Sequence, residues 1–222
     1  MLLNWIKSNR WFIVLLLCFG LFRTAVADWN PIPSGSMRPT LLEGDVVFVN
    51  RLAYDVKLPL TDVVLLPLGE PQRGDVVTFT SPQDGTRLIK RIAAVPGDRV
   101  EMRNEVLYIN GQAAEYDAPE VVQEAVGVGA TVQATRWTER LGGHERRVQW
   151  LHGVPARSTF DAIEVPAGQY LMLGDNRDDS VDSRYIGLVP RHLLIGQARR
   201  VLVSADILGH WAPRLQRIGL PL

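Results

Sequence analysis

The pattern that most restricts this chain is a set of short segments in which Val, Ile, Thr and aromatic residues alternate with polar ones until Gly or Pro interrupts. They are "GDVVFVNRLAY" from residue 44, "RGDVVTFT" from 73, "RLIKRIAAV" from 87, "RVEMRNEVLYING" from 99, "QYLML" from 169 and "ARRVLVSA" from 198. A period of two puts one face of each segment in a core and the other toward water, as in half-buried antiparallel strands. The expected fold class is mainly β. Gly-Asp at 44–45, 74–75, 97–98 and 174–175 supplies turn chemistry, because Gly reaches positive φ and Asp bonds nearby amides. Residues 112–160 are less regular, with "AVGVGA", "LGGHERR" and "HGVPARS" as loop signals. They read as an excursion inserted between two stretches of a core sheet.

Composition narrows the partners. Twenty-four Lys plus Arg balance twenty-four Asp plus Glu, so no excess charge is available for a nucleic-acid backbone, and nucleic acid is not an expected partner. The single cysteine, Cys18, excludes an internal disulfide and a cysteine-built zinc site.

The N-terminus points to a membrane. Lys7 and Arg10 precede "WFIVLLLCFGLF" (11–22), which stops at Arg23, the positive-then-apolar order of a translocation signal. Those residues make only about 18 Å of helix against a hydrocarbon core of about 30 Å, and "AVA" at 25–27 has the form of a processing site, so a removed leader is one reading. The other extends the helix over 11–29, about 28 Å, with Arg23 snorkelling to the interface as part of a retained anchor. In both, the positive-inside rule leaves residues 1–10 in the cytoplasm and places everything after Trp29 across the membrane.

The first sign of chemistry is Lys90. On a strand it shares one face with Leu88, Ile92 and Ala94, while Arg87, Ile89 and Arg91 take the other. Burial would favour the neutral amine and make Lys90 a usable base; the competing reading has it snorkelling from a sheet edge. "PSGSMRPT" (33–40) sets Ser34 and Ser36 two apart in a stretch stiffened by Pro33 and Pro39. A serine needs a base before it is a nucleophile, and Ser-Lys pairs can replace Ser-His-Asp triads. Serine between Pro and Gly is also ordinary turn chemistry, and spacing alone does not separate the two readings. Histidines 144, 152, 192 and 210 are read as surface or packing residues.

Four stretches then occur in order: "PSGSMRPTLLEGD" (33–45), "RGDVV" (73–77), "LIKRIAAVPGD" (88–98) and "LGDNRDDSVDSRYIGLVP" (173–190). Together they resemble the sequence boxes of bacterial type I signal peptidase, a membrane-bound serine endopeptidase of the Ser-Lys class, from the apolar run to about Gly196 and most weakly over 99–166. The resemblance implies an antiparallel β catalytic core (30–98 and 167–222) with an inserted second β domain (99–166), preceded by one transmembrane helix. It makes Ser36 similar to the nucleophile and Lys90 to the general base. Ser34 resembles the serine that joins the Ser36 backbone N–H in the oxyanion hole, and Ser180 the serine that orients the lysine amine. Asp182 and Arg184 match a structural ion pair, and Asp175, Asn176 and Arg177 belong to the same loop.

The resemblance implies cleavage after Ala-x-Ala in exported pre-proteins bearing signal peptides, at the outer face of the cytoplasmic membrane. The apolar flanks Ile32, Pro33, Leu41, Leu88 and Ile89 are the expected lining of pockets for small uncharged side chains. Membrane lipid is the other expected partner, a monomer the expected state, and no metal or cofactor is implied. "DNRDDSVD" (175–182) fails the calcium-loop register, with Arg177 third from Asp175 and Val181 sixth from Asn176. Alternatives are a maturation peptidase dedicated to one conjugation or pilin substrate, and a catalytically idle β module that binds exported peptides.

Overall fold

The computed structural model describes residues 5–222 apart from 6, 60, 62 and 128. Helix α1 (Arg10–Ala25) leads into strand β1 (Ala27–Pro31), and then come β2 (Asp45–Asn50), β3 (Asp55–Lys57), β4 (Val64–Pro67), β5 (Val76–Thr80) and β6 (Arg87–Ala94). Next are β7 (Arg99–Arg103), β8 (Val106–Ile109), β9 (Gln112–Ala113), β10 (Glu115–Gly127), β11 (Ala130–Leu141), β12 (His144–Leu151) and β13 (Phe160–Glu164). The chain finishes with β14 (Gln169–Leu173), the short helix α2 (Ser183–Ile186), β15 (Val189–Pro190) and β16 (Leu194–Ser204).

One seven-stranded sheet, ordered β1-β2-β16-β5-β6-β14-β15, draws strands from both ends of the chain. The residues between β6 and β14 instead build a three-stranded sheet, β10-β11-β12, and a four-stranded one, β13-β7-β8-β9. The mainly β, antiparallel expectation holds in each of these pairings. The irregular reading of 112–160 does not, because "AVGVGA" and "LGGHERR" span the turns of the β10-β11-β12 meander rather than long loops. Its strands were hard to read because their charged residues pair with one another instead of alternating with apolar ones, as Arg140 does with Asp117 and Glu145, and Arg147 with Glu120.

The large sheet's side chains enter three cores, one of which joins Ala93, Ala94, Leu171 and Leu173 to Val100, Met102, Leu107 and Ile109 of β7 and β8. Val47, Val49, Val76, Ala198 and Val201 pack with Ile32, Met37 and Leu41, while Val77, Phe79, Ile92, Met172 and Leu194 pack on the other side with Tyr54 and Tyr170. Met37 and Leu41 have no exposed surface. Burial of each stabilises by about 2 kcal/mol and pins the segment between β1 and β2 to the sheet. Gly44, at φ 85°, makes the turn into β2 beneath the Ala205 carbonyl, where any Cβ would collide.

The N-terminal helix is shorter than the expected 11–29. It ends at Ala25, and Ala27–Pro31 is captured by β2 in the register Ala27↔Asn50 to Pro31↔Val46. Arg23 turns back to Asp28 (Nε to Oδ1 3.0 Å) and lies over the Trp29 ring, which closes the helix where it leaves the sheet. No helix among the described residues is long and apolar enough to cross a membrane. Residues 1–4 and 6 of the expected cytoplasmic N-terminus lie outside the described residues.

Candidate active site

The segment joining β1 to β2 carries both serines. Its ends are tied by Ile32 N–H to the Asp45 carbonyl (2.8 Å) and Gly44 N–H to the Ile32 carbonyl (3.0 Å), and a single 3-10 turn, Gly35–Met37, presents Ser36. Ser36 is buried, Ser34 is exposed, and their hydroxyl oxygens lie 3.5 Å apart.

Lys90 comes to Ser36 from β6, where it is paired with Val77 of β5. Its side chain is buried, and Nζ sits 2.5 Å from Ser36 Oγ across 54 residues of sequence. The reading in which Lys90 reaches water from a sheet edge is thereby set aside. Burial lowers its pKa from 10.5 to about 8, against the opposing pull of Asp182, Asp175 and Asp179. At pH 7 about one such lysine in ten is neutral, where a free lysine would give about four in ten thousand.

The segment after β14 packs against the other side of Ser36. Asn176 holds both neighbouring carbonyls, its N–H on the Ser36 oxygen (3.2 Å) and its Nδ2 on the Gly35 oxygen (3.1 Å). Asp175 receives a fork from Arg91 (Nε to Oδ1 2.9 Å, Nη2 to Oδ2 2.7 Å) and the Thr40 hydroxyl at 2.5 Å, joining β6, the serine segment and this loop. Asp182 caps α2, accepts the Gly174 N–H (2.9 Å), and takes Nε and Nη2 of Arg184 at 2.8 Å each. Arg177 is fully buried on Glu139 of β11 (2.5 Å), which holds that carboxylate down at about 2 despite its burial.

Ser180 differs from expectation. Its hydroxyl is buried and has no hydrogen-bond partner among the described residues, Lys90 included. Ser180 packs over Gly174, where an added Cβ would stand 2.2 Å from its Oγ and 2.5 Å from the Ser36 carbonyl oxygen.

The expected pocket residues divide. Ile32 and Leu41 are core residues, 2% and 0% exposed, because the apolar cluster under the sheet takes them up, and neither offers a lining surface. Pro33 is exposed, and Leu88 and Ile89 are half-buried against opposite cores. Over Arg87–Lys90, β6 is paired on the β5 side only, since β14 joins it from Arg91 onward. Arg87 reaches from this free edge to Asp28 (3.2 Å) and Asn30 (3.1 Å) of β1. The result is an open strand edge beside Lys90.

The family described as signal peptidase, peptidase S26, matches residues 2–203. This chain belongs to the S26 signal peptidase family. Signal peptidase I of Pseudomonas aeruginosa is 37% identical to it, and that of Pseudomonas fluorescens 36%, each over 94% of this chain and 75% of its own length. A crystal structure of a signal peptidase I from Enterococcus faecalis V583 aligns with 59% of this chain and 97% of its own, at 30% identity and a TM-score of 0.34.

Membership makes the chain a type I signal peptidase, a serine peptidase whose activity is signal-peptide removal, and the dedicated-substrate and idle-module readings are not favoured. The candidate site also gathers residues that no sequence box singles out: Arg91 on Asp175, Glu139 on Arg177, Arg38 between Glu43 and Glu124, and Gln149, whose backbone bonds Asp175 and Arg177. Arg38 and Glu43 stand inside the first box and could have been noticed as charges between apolar neighbours. Nothing in sequence ties Glu124 to Arg38 across 86 residues.

Proposed function

We propose that this chain cuts signal peptides from exported pre-proteins with Ser36 as nucleophile and Lys90 as general base. The neutral amine takes the hydroxyl proton as Ser36 Oγ bonds to the scissile carbonyl carbon, and the resulting ammonium returns that proton to the leaving amine as the acyl-enzyme forms. Lys90 then deprotonates a water that attacks the ester, and the proton goes back to Ser36. The carrying observation is the 2.5 Å approach of Nζ to Oγ in a buried setting that favours the neutral amine. Ser34, beside Ser36 and open to a bound peptide, completes an oxyanion hole with the Ser36 N–H. Asp175, Asn176, Arg177, Asp182 and Arg184 hold the supporting loop, and Ser180, packed over Gly174 in the same loop, helps to orient the lysine amine.

The pre-protein binds as an extended strand on the free edge at Arg87–Lys90, with small residues of an Ala-x-Ala motif toward Pro33, Leu88 and Ile89. Residues 30–98 and 167–222, which with Ala27–Trp29 of β1 supply the seven-stranded sheet, are the catalytic core, and 99–166 is the inserted domain. Helix α1 has no buried residue and exposes Trp11, Phe12, Leu15, Leu16, Leu17 and Phe19, an apolar surface that a lipid environment would cover. Together with Lys7 and Arg10 before it, that surface favours a chain held by its N-terminal segment in the cytoplasmic membrane with the sheet on the outer face.

The test is incubation of the purified protein in detergent with an exported precursor carrying Ala-x-Ala. Shortening by the wild type and none by Ser36→Ala is expected; an intact precursor in both, or the same product from both, would remove the proposal.

A further inference from the structure

A line of charged and polar side chains, most of them buried, runs from the Ser36 segment into the inserted sheet. Arg38, two residues beyond Ser36, bonds back through its N–H to the Gly35 carbonyl (3.0 Å) and sends its guanidinium to Glu43 (Nε to Oε2 2.7 Å) and, through Nη1, to Glu124 of β10. Glu124 accepts in turn from Arg136 of β11 (2.7 Å), and Arg136 Nε donates to Gln149 of β12 (3.3 Å). Gln149 then brackets the catalytic loop. Its N–H donates to the Asp175 carbonyl and its carbonyl accepts the Arg177 N–H, both at 2.9 Å, on either side of the Asn176 that grips Gly35 and Ser36.

Arg38, Glu43 and Glu124 are only 7%, 8% and 3% exposed. A buried ion pair adds little stability over apolar packing, but it fixes direction, and a guanidinium forked between two carboxylates has little freedom to turn. Glu43 alone would neutralise Arg38. Because Glu43 belongs to the same segment as Ser36, Glu124 is the partner through which Arg38 ties that segment to the inserted sheet. Gly35 leaves little slack, since a Cβ there would stand 3.1 Å from Glu43 Oε1 and 3.3 Å from Arg38 Cδ.

We infer that Glu124 is a positioning residue for the cleavage reaction, holding the Ser36 turn at its distance from Lys90 through Arg38. The inference rests on Ser36 being the nucleophile, and it gives the inserted sheet a task in the reaction. An ångström of misplacement can reduce rate about a hundredfold, so the effect belongs in kcat.

The experiment measures kcat, KM and the pH profile of precursor cleavage for Ser36→Ala, Glu124→Gln, Arg38→Gln and the double variant Arg38→Gln/Glu124→Gln, each normalised to folded protein by circular dichroism. Glu124→Gln should lose about tenfold or more in kcat with KM within about twofold of wild type and the pH midpoint unmoved, and the double variant should be no worse than the weaker single. If Glu124→Gln does not fold, Glu124→Asp keeps the charge while withdrawing it by one methylene, and the same loss in kcat is expected. A folded Glu124 variant with wild-type kcat while Ser36→Ala is inactive overturns the positioning role alone. Activity retained by Ser36→Ala overturns the nucleophile reading on which it rests.

Discussion

Lys90, the proposed base, is buried at a cost to the stability of the fold. Its folded pKa of about 8 lies below the ordinary 10.5, so above pH 10.5 neither state binds the proton. As pH falls from 10.5 to about 8 the unfolded chain takes it up first and stability declines, and below about 8 the penalty is constant. The interval corresponds to about 3 kcal/mol. Lys90→Met should therefore be inactive yet more stable than wild type at pH 7, by up to about 3 kcal/mol, with the gain shrinking toward pH 10.5. Urea unfolding at pH 7 and near pH 10 reads this directly; a variant no more stable at pH 7 would mean that burial does not penalise the ammonium. Ser36→Ala, Lys90→Ala and the double variant should fall to nearly the same residual rate because the two groups act as one unit, whereas multiplicative losses would separate them. Lys90→Arg should not recover activity, since a guanidinium stays protonated.

The loop after β14 and the junction of α1 with β1 show what sequence could and could not reveal about elements. The alternation in β2 is legible because one face is buried and the other only partly, whereas β5 and the second half of β6 are buried on both faces; the approach of Ser36 and Lys90 is legible once the boxes are seen in order. The apolar character of Ile32 and Leu41 was equally plain, but it does not distinguish a pocket wall from a core, and packing beneath the sheet made them core. Helix length was over-read because pairing with β2 at Ala27 competes with one more helical turn. That pairing has a consequence. Ala27 is buried and strand-bonded, so "AVA" is closed to a peptidase and the native protein should retain the residues before Asp28. Intact mass decides it, and an N-terminus at Asp28 would contradict it. In the loop, Gly174→Ala should lower cleavage by at least about a hundredfold, because its methyl collides with both Ser180 and the Ser36 carbonyl. A Gly174→Ala enzyme with near wild-type kcat would show that this packing does not set the site.

Taken whole, the molecule brings Ser36 and Lys90 together where three separate parts of the chain meet: the β1-β2 segment, β6, and the loop behind β14, with the inserted sheet bonded to the first and third. The inserted sheet's part was hidden from sequence because its working residues, Glu124 and Glu139, look like any surface carboxylate until Arg38 and Arg177 are found against them. The central claim is that this arrangement makes a buried lysine the base for a serine. Its most direct test is the pH dependence of kcat/KM for cleavage of an exported precursor by the wild-type protein, which reports ionisation of the free enzyme. A single limb rising with pH and centred near the lowered Lys90 value of about 8 is the expected result. A limb near about 6.5, the range of histidine, or near about 10.4, that of exposed lysine, would contradict it.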